Sequence, residues 1–501
     1  MKVQRNLSGA NECVPRDFGE DSTVCVCNST YCDSTPETSL EAGTFLWYVS
    51  SQAGQRMDLT VGQITDKKKA SIILRPNSSK RYQKLQGFGG SITDSAGINI
   101  RNLSLAAQEK LLKSYFSKSG SRYNLVRIPI GGSDFSTRFY TYDDVPNDVL
   151  LKNFSLAQED INYKIPLMQK ALDLNPELRF MAAAWTAPVW MKTNNNYTGY
   201  GFLKKKYFQL YTDYLLKFMN EYKKHNIKMW AISTGNEPFT MYISILVPFN
   251  SMGWKSEDVG TFIADNLGPS LTKSQHNETI ILALDDQKIF LPWLVDRIFK
   301  KKEAKKFVSG IAFHYYADII VPAFVLDQTH QKYPEKILIM SEACEGPFPW
   351  QTVKVRLGYW RRGEKYVLKM FQNLNHWTSG WVDWNLALNK VGGPNWVNNF
   401  VDASIIVNPE TDEFFKQPLY YIIHHFSRFL PRGSVRIELK ESSIIFHSLT
   451  SIAFETPHNK TVVLIYNGSE RSQKVDIINP KTGIINLNLP EKSLNTIVYQ
   501  S

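Results

Sequence analysis

WAISTGNEPFT, residues 230–240, begins as a buried strand and ends in Asn236, Glu237 and Pro238. A carboxylate standing where an apolar run stops is an ordinary surface residue if it is alone. The chain repeats the arrangement in ILIMSEACEG, residues 337–346, where Glu342 closes another run with strand character. Two acids at two strand ends pose a chemical question, and the answer depends on what lies between them.

Working outward from these two places, short β-type runs alternate with amphipathic segments from about Gly87 onward. The runs are GFGGSIT (87–93), VRIPI (126–130), RFMAAAW (179–185), KMWAIST (228–234), IILALDD (280–286), VSGIAFHYY (308–316), ILIMSEA (337–343) and GWVDWNL (380–386). Between them lie helical patterns. In YFQLYTDYLLKFMNEYKKHN (207–226), Phe208, Tyr211, Leu215, Phe218 and Tyr222 recur at three- and four-residue steps, which predicts one buried face. KQPLYYIIHHFSRFL (416–430) supplies a last helix. Eight strand-helix units are what a closed (β/α)8 barrel requires, and such a barrel places chemistry at the C-terminal ends of its strands. Those ends carry Asp94, Arg127, Trp185, Glu237, Asp286 with Gln287, Tyr316, Glu342 and Trp384, whereas the strand starts are mostly Val, Ile and Met.

Beyond about Ser434 the pattern changes. VRIEL, SIIFHSL, SIAFE, TVVLIYN and NTIVYQS are separated by turn-rich pieces and read as an antiparallel β unit. The first eighty residues also lack helical periodicity but contain LWYVSS and ASIILRP, so the two chain ends are expected to build one β domain together.

The 501 residues exceed the usual size of one domain, and 43% apolar with 13% aromatic residues leaves no room for a disordered class. Lys and Arg outnumber Asp and Glu 58 to 47, a net charge of +11. No zinc-finger spacing, RNA-binding signature or basic helical arm accompanies that charge, which excludes a nucleic-acid partner and leaves an anionic lipid surface as the expected one. Four of the five cysteines, Cys13, Cys25, Cys27 and Cys32, fall within twenty residues. The spacing CVCNSTYC lacks paired CxxC units, so two disulfides are expected rather than zinc. Three pairings are open from sequence; Cys13 with Cys25 and Cys27 with Cys32 is preferred, leaving Cys344 a free, buried thiol. Glycosylation sequons at Asn6, Asn28, Asn77, Asn102, Asn153, Asn196, Asn277, Asn459 and Asn467 agree with a secretory route. No stretch reads as a membrane span, and the first residues lack the apolar core of a signal peptide, so a mature, non-spanning form is expected.

A barrel mouth holding two glutamates ringed by Trp, Tyr, Asn and Arg suits glycoside hydrolysis, in which one carboxyl attacks the anomeric carbon and the other protonates the departing oxygen. Around the glutamates, TGNEP, MSEAC, WVDWNLALN and GGPNWVNNFVD, with KLQGFGGSITDSA, LLKSYFS, SDFSTRFYTYDD, AAAWTAPVWMKTN, LDDQK and FVDASIIV in order along the chain, resemble the acid β-glucosidases of glycoside hydrolase family 30. The resemblance covers essentially the whole chain. It implies Glu237 as general acid/base and Glu342 as nucleophile, with Asn236 on the sugar 2-hydroxyl. Arg127 would pair with Glu342 and favour its ionised form, leaving Glu237 to hold the proton. Asp134, Trp185, Trp384 and Asn399 would line the sugar pocket, with Gln287 and Tyr316 at its rim. His314, inside a strand run, reads as a satisfied structural histidine.

The resemblance further implies a TIM barrel over residues 85–385 and 418–433, a β-sandwich from 39–84 and 434–501, and a small disulfide-bonded antiparallel sheet from 10–36 and 386–417. No cofactor and no metal are expected. The substrate implied is glucosylceramide in an anionic membrane, met in the lysosomal lumen, with a lipid-presenting activator protein and a lysosomal sorting receptor as partners. Secretion is the alternative to the lysosome. Two loops depart from the family pattern: FTMYISILVPFNSMGW (239–254) is one residue longer with Val247 before the Pro-Phe pair, and CEGPFPW (344–350) adds Glu345, a third acid that would bind sugar, perturb Glu342 or point to solvent. Phe249, Phe348 and Trp350 are the expected apolar lip. Alternative readings are a family 30 enzyme acting on soluble or steryl β-glucosides or polysaccharide, and a non-catalytic glycan or lipid binder.

Overall fold

The computed structural model describes residues 11–239, 249–442 and 448–501. The loop containing Val247, the sequon at Asn6 and most of the candidate strand SIIFHSL lie outside the described residues. Eight parallel strands close into a barrel: Gly87–Ser91, Leu125–Ile130, Arg179–Ala184, Met229–Ser233, Ile280–Gln287, Val308–His314, Ile337–Glu342 and Thr378–Asn385. All eight match the runs read from sequence within two residues at either end. Their nearly continuous apolar character follows from burial on both faces, inside the barrel and under the helices. The first and second strands approach so closely at Gly89 that a Cβ there would lie 1.7 Å from the Leu125 carbonyl oxygen. Helix Phe208–Lys224 buries Phe208, Tyr211, Leu215, Phe218 and Tyr222, the face its periodicity predicted.

Both chain ends meet in a nine-stranded sheet ordered Gly483–Leu489, Gln473–Asn479, Ile72–Lys84, Val435–Ser442, Leu449–Glu455, Lys460–Asn467, Ser493–Gln500, Thr44–Ser51 and Asp58–Gln63. Alternation along its central strands gives it two apolar faces. Phe45, Val463, Ile477, Ile485 and Ile497 share one core, so opposite ends of the strand order close on each other as a sandwich. Their neighbours Leu46, Val462, Leu464 and Val498 join the main core with the barrel helices. The strands QKVDIIN and GIINLNL escaped sequence reading because Asp and Asn interrupt the β-type residues.

A third sheet joins Pro15–Asp17, Thr23–Asn28, Glu413–Lys416, Ile405–Asn408 and Ala387–Asn389. Disulfides Cys13–Cys25 and Cys27–Cys32 staple it, and Cys344 is free and buried. It is not wholly antiparallel: Ala387–Asn389 runs parallel to Ile405–Asn408. Parallel neighbours need a long crossover, and that crossover, residues 390–404, carries Asn399 to the barrel mouth. Among the sequons, Asn467 is fully buried and its amide donates to the carbonyls of Arg471 and Pro490, so its nitrogen is engaged in the fold.

Candidate active site

Arg127 stands inside the second barrel strand, fully buried, with its guanidinium over the rings of Trp185 at 4.9 Å and Trp384 at 5.5 Å. The two tryptophans stack on each other, centroids 5.2 Å apart. Nη1 of Arg127 donates to Oε2 of Glu342 at 2.5 Å, and Nη2 donates to Asn236 Oδ1 at 2.6 Å and Asp285 Oδ2 at 3.1 Å. One guanidinium thus joins the ends of the fourth, fifth and seventh strands.

The fourth strand turns sharply after Ser233, with Gly235 at φ +136° and Glu237 at φ +46°, and the Glu237 amide donates to the Asp285 carbonyl. This turn aims Glu237 into the mouth. An oxygen of Glu237, an oxygen of Glu342 and a ring nitrogen of His314 lie within 4.8 Å of one another. Tyr316 donates its hydroxyl to Oε1 of Glu342 at 2.8 Å, and Gln287 donates its amide to Oε1 of Glu237 at 2.6 Å. Both were expected at the rim; each is half-buried and bonds one of the acids, Gln287 from the end of the fifth strand and Tyr316 from the turn after the sixth.

Two groups were missed. His314 was read as structural, yet its Nδ1 faces Glu237 Oε1 at 2.9 Å and Glu342 Oε1 at 3.8 Å, while Nε2 faces Asp285 Oδ1 at 3.2 Å. Burial pulls the imidazole down, but Glu342, Asp285 and Glu237 outweigh it and raise His314 to about 10. The ring is therefore an imidazolium at neutral and acidic pH, and its two N–H groups donate to carboxylates rather than offering a lone pair to a cation. Asp285 was passed over in favour of Asp286. Strand pairing shifts between Leu284 and Asp286, and Leu284 and Asp285 take φ +76° and +51°, so a bulge turns Asp285 into the barrel. Burial would raise Asp285; Arg127, His314 and the Ser341 hydroxyl hold it well below the carboxylate range. Asp286 accepts backbone amides of Phe239 and Gln287 instead.

The Glu342 carboxyl is pushed up by burial, and His314, Arg127 and the Tyr316 hydroxyl pull against that push. The arginine acts in the direction expected of it, but desolvation is the larger influence. Both Glu342 oxygens accept from donors, Arg127 on Oε2 and Tyr316 on Oε1, whereas the bonds to Glu237 among the described residues fall on Oε1.

Asp134 lies 5% exposed in the loop after the second strand and accepts from the Asn399 amide at 3.1 Å. Burial, with the charge of Glu342, raises it to about 7. Behind it, Asp94 begins a helix and takes the hydroxyls of Ser136 and Tyr140, with Lys164 bridging Asp94 and Asp160 in full burial. Glu345 accepts from the Tyr315 hydroxyl at 2.6 Å and faces Lys365 at 3.4 Å, a structural pairing that occupies both its oxygens. Phe249 is half-buried against the cluster of Trp185 and Trp384. Phe348 stacks on Trp350, which is 71% exposed.

The profile of the glycosyl hydrolase family 30 TIM-barrel domain matches residues 85–430, and that of the family's β-sandwich domain matches residues 433–497. The chain is 41% identical to the lysosomal acid glucosylceramidase of Mus musculus, over 98% of this chain and 96% of that relative. It superposes on SrfJ from Salmonella typhimurium with a TM-score of 0.84 at 27% identity, covering 91% of this chain and all of that one. The endo-β1,6-glucanase BT3312 gives 0.81 at 25% identity, over 92% of this chain and all of that one. The chain belongs to glycosyl hydrolase family 30 and is a glycoside hydrolase.

Proposed function

We propose that the protein is a retaining β-glucosidase that cleaves glucosylceramide to glucose and ceramide. The observation that carries the stereochemical part is the approach of Glu237 to Glu342 within 4.8 Å, a spacing suited to direct attack and too short for the intervening water of an inverting enzyme. Glu342 attacks the anomeric carbon, the bond to the aglycone oxygen breaks, and Glu237 gives that oxygen its proton. Glu237 then takes a proton from water, whose oxygen displaces Glu342 from the sugar and regenerates both groups. Asn236, held by Arg127, is aimed to bond the 2-hydroxyl. Asp134 and Asn399 bind the other hydroxyls, and Trp185 and Trp384 offer their faces.

The ceramide is argued from the likeness to the murine glucosylceramidase and from exposed Trp350, stacked on half-buried Phe348 in the loop after the seventh strand. The same likeness supports a lysosomal, membrane-associated site of action with an activator protein and a sorting receptor, and the three-part division of the chain given above. No helix among the described residues is long and apolar enough to cross a membrane. A polysaccharide substrate is the second reading, favoured by the likeness to a β1,6-glucanase. Trapping with a mechanism-based β-glucoside epoxide, then peptide mapping, tests the mechanism. Label on Glu342 is expected; label elsewhere, or none with full activity retained, overturns the assignment. Parallel rates on glucosylceramide and on β1,6-glucan separate the two substrates.

A further inference from the structure

A cavity of about 440 Å³ opens where the last barrel helix, Pro418–Phe429, packs on the nine-stranded sheet. None of its lining residues belongs to the site above. Its floor is apolar, made by Leu46, Val462 and Val498 of the sheet and Phe429 of the helix. Its wall carries Arg122, Arg428, Lys460 and His458 against one carboxylate among the lining residues, Glu37. Glu37 is engaged by Arg122 at 2.6 Å and stands mostly in solvent.

Arg428 is the group that this charge balance leaves over. It is 4% exposed, and its N–H groups donate to the backbone carbonyls of Lys118 at 2.7 Å, Gly120 at 2.9 Å and Pro36 at 2.9 Å. No carboxylate pairs with it among the described residues. Burial lowers Arg428 to about 10, and the like charge of Arg122 acts in the same direction. A guanidinium has five donors, so three carbonyls leave two unspent. A buried cation without a counter-charge is costly, and an anion entering this cavity would relieve Arg428 through its unspent donors while meeting the positive charge of Arg122 beside it. The apolar floor sets what the anion is attached to, and the volume is that of a small-ligand pocket.

We propose that this cavity is a second ligand site, which takes a small amphiphilic anion, a carboxylate or phosphate monoester on a short hydrocarbon chain. The head sits on Arg428 and Arg122, and the tail lies against Leu46, Val462 and Val498. The proposal is independent of the glucosidase reading.

Calorimetric titration of the full chain with octanoate, octyl phosphate and octanol, up to about 1 mM, tests it, with aryl β-glucoside turnover followed in parallel to reveal binding at the catalytic mouth. Expected is one-to-one binding of at least one anion that leaves turnover unchanged, with octanol not binding. Arg428→Gln should weaken that binding about tenfold or more. Arg122→Gln should weaken it severalfold and leave glucoside hydrolysis at the wild-type rate. If Arg428→Gln fails to fold, Arg122→Gln decides. Equal binding of octanol, no binding of either anion, or unaltered anion binding by Arg122→Gln overturns the proposal.

Discussion

His314 and Glu237 face each other at 2.9 Å, imidazolium Nδ1 against carboxyl Oε1, and the far side of the same ring donates to Asp285. The ring thus ties the acid/base candidate to the guanidinium that holds the proposed nucleophile, Glu342, since Asp285 also accepts from Arg127. Replacing His314 with Gln removes a cation that three carboxylates share. The expected result is a kcat reduced about a hundredfold or more, with a lowered Tm because Asp285 keeps only one cationic partner. The sign with pH follows from the raised imidazole: its stabilisation is complete below its unfolded value near 6.5 and is lost as pH rises through about 10. A variant with wild-type kcat and Tm would refute the linkage.

The two glutamates should fail differently. Glu342→Gln loses the attacking group, so turnover should fall about a thousandfold or more on every β-glucoside. Glu237→Gln would lose the proposed proton donor of the first step and the base that activates water in the second. A nitrophenolate leaves without protonation, so this variant should retain far more of the glycosylation rate on a nitrophenyl glucoside than on glucosylceramide. Pre-steady-state bursts on the two substrates check this, and equal losses for both variants on both substrates would refute the role assignment.

Asp134 makes stability depend on pH in the direction opposite to a salt-bridged acid. Its folded value of about 7 exceeds the unfolded value near 3.9, so the folded protein binds more protons between them and stability falls as pH rises through that window. At most about 4 kcal/mol is involved. Asp134→Asn should flatten this part of the profile, so the variant gains on the wild type between pH 4 and pH 7.5 in thermal melts. Parallel profiles would show that the carboxyl is not the titrating group.

Lys164 is fully buried between Asp94 and Asp160, and Asp94 in turn fixes Ser136 and Tyr140 on the loop that presents Asp134. Lys164→Met should cost roughly 3–5 kcal/mol by leaving two acids buried without a cation. In protein that still folds, KM for an aryl glucoside should rise more than kcat falls if the loop has the proposed role of binding sugar without proton transfer. A melting curve and initial rates decide.

If the exposed Trp350 ring has the proposed role of meeting lipid, Trp350→Ala should lower the rate on glucosylceramide in vesicles several-fold and leave a soluble aryl glucoside untouched. Anionic vesicles should be cut faster than zwitterionic ones at low salt, given the net charge of +11. Equal rates in both comparisons would remove the lipid surface from the account.

The barrel was legible because most of its strands are nearly continuous β-type runs alternating with amphipathic segments, and the glutamates were legible because they follow two of those runs. Trp185 and Trp384 followed from the same logic, whereas Arg127, also expected at a strand end, lies inside the strand Leu125–Ile130. Asp285 did not, since a bulge breaks the alternation by which a strand residue is assigned to inside or outside, and two neighbouring aspartates in IILALDD then look interchangeable. His314 was hidden by its own surroundings: a histidine among apolar strand residues looks satisfied, and its partners come from loops and strands remote in sequence. Glu345 was visible as an acid, but its hydroxyl partner Tyr315 was not.

The strand Thr44–Ser51 hydrogen-bonds along its length to Ser493–Gln500, and Trp47 reaches Asn495 across 448 residues of chain. An emerging polypeptide can pair this early strand at once with Asp58–Gln63, but must leave its other edge open through synthesis of the entire barrel. Nicking or shortening the C-terminal strand should consequently injure the opposite terminus first, and lesions in those eight residues should surface as a lowered yield of folded protein before they register as altered chemistry.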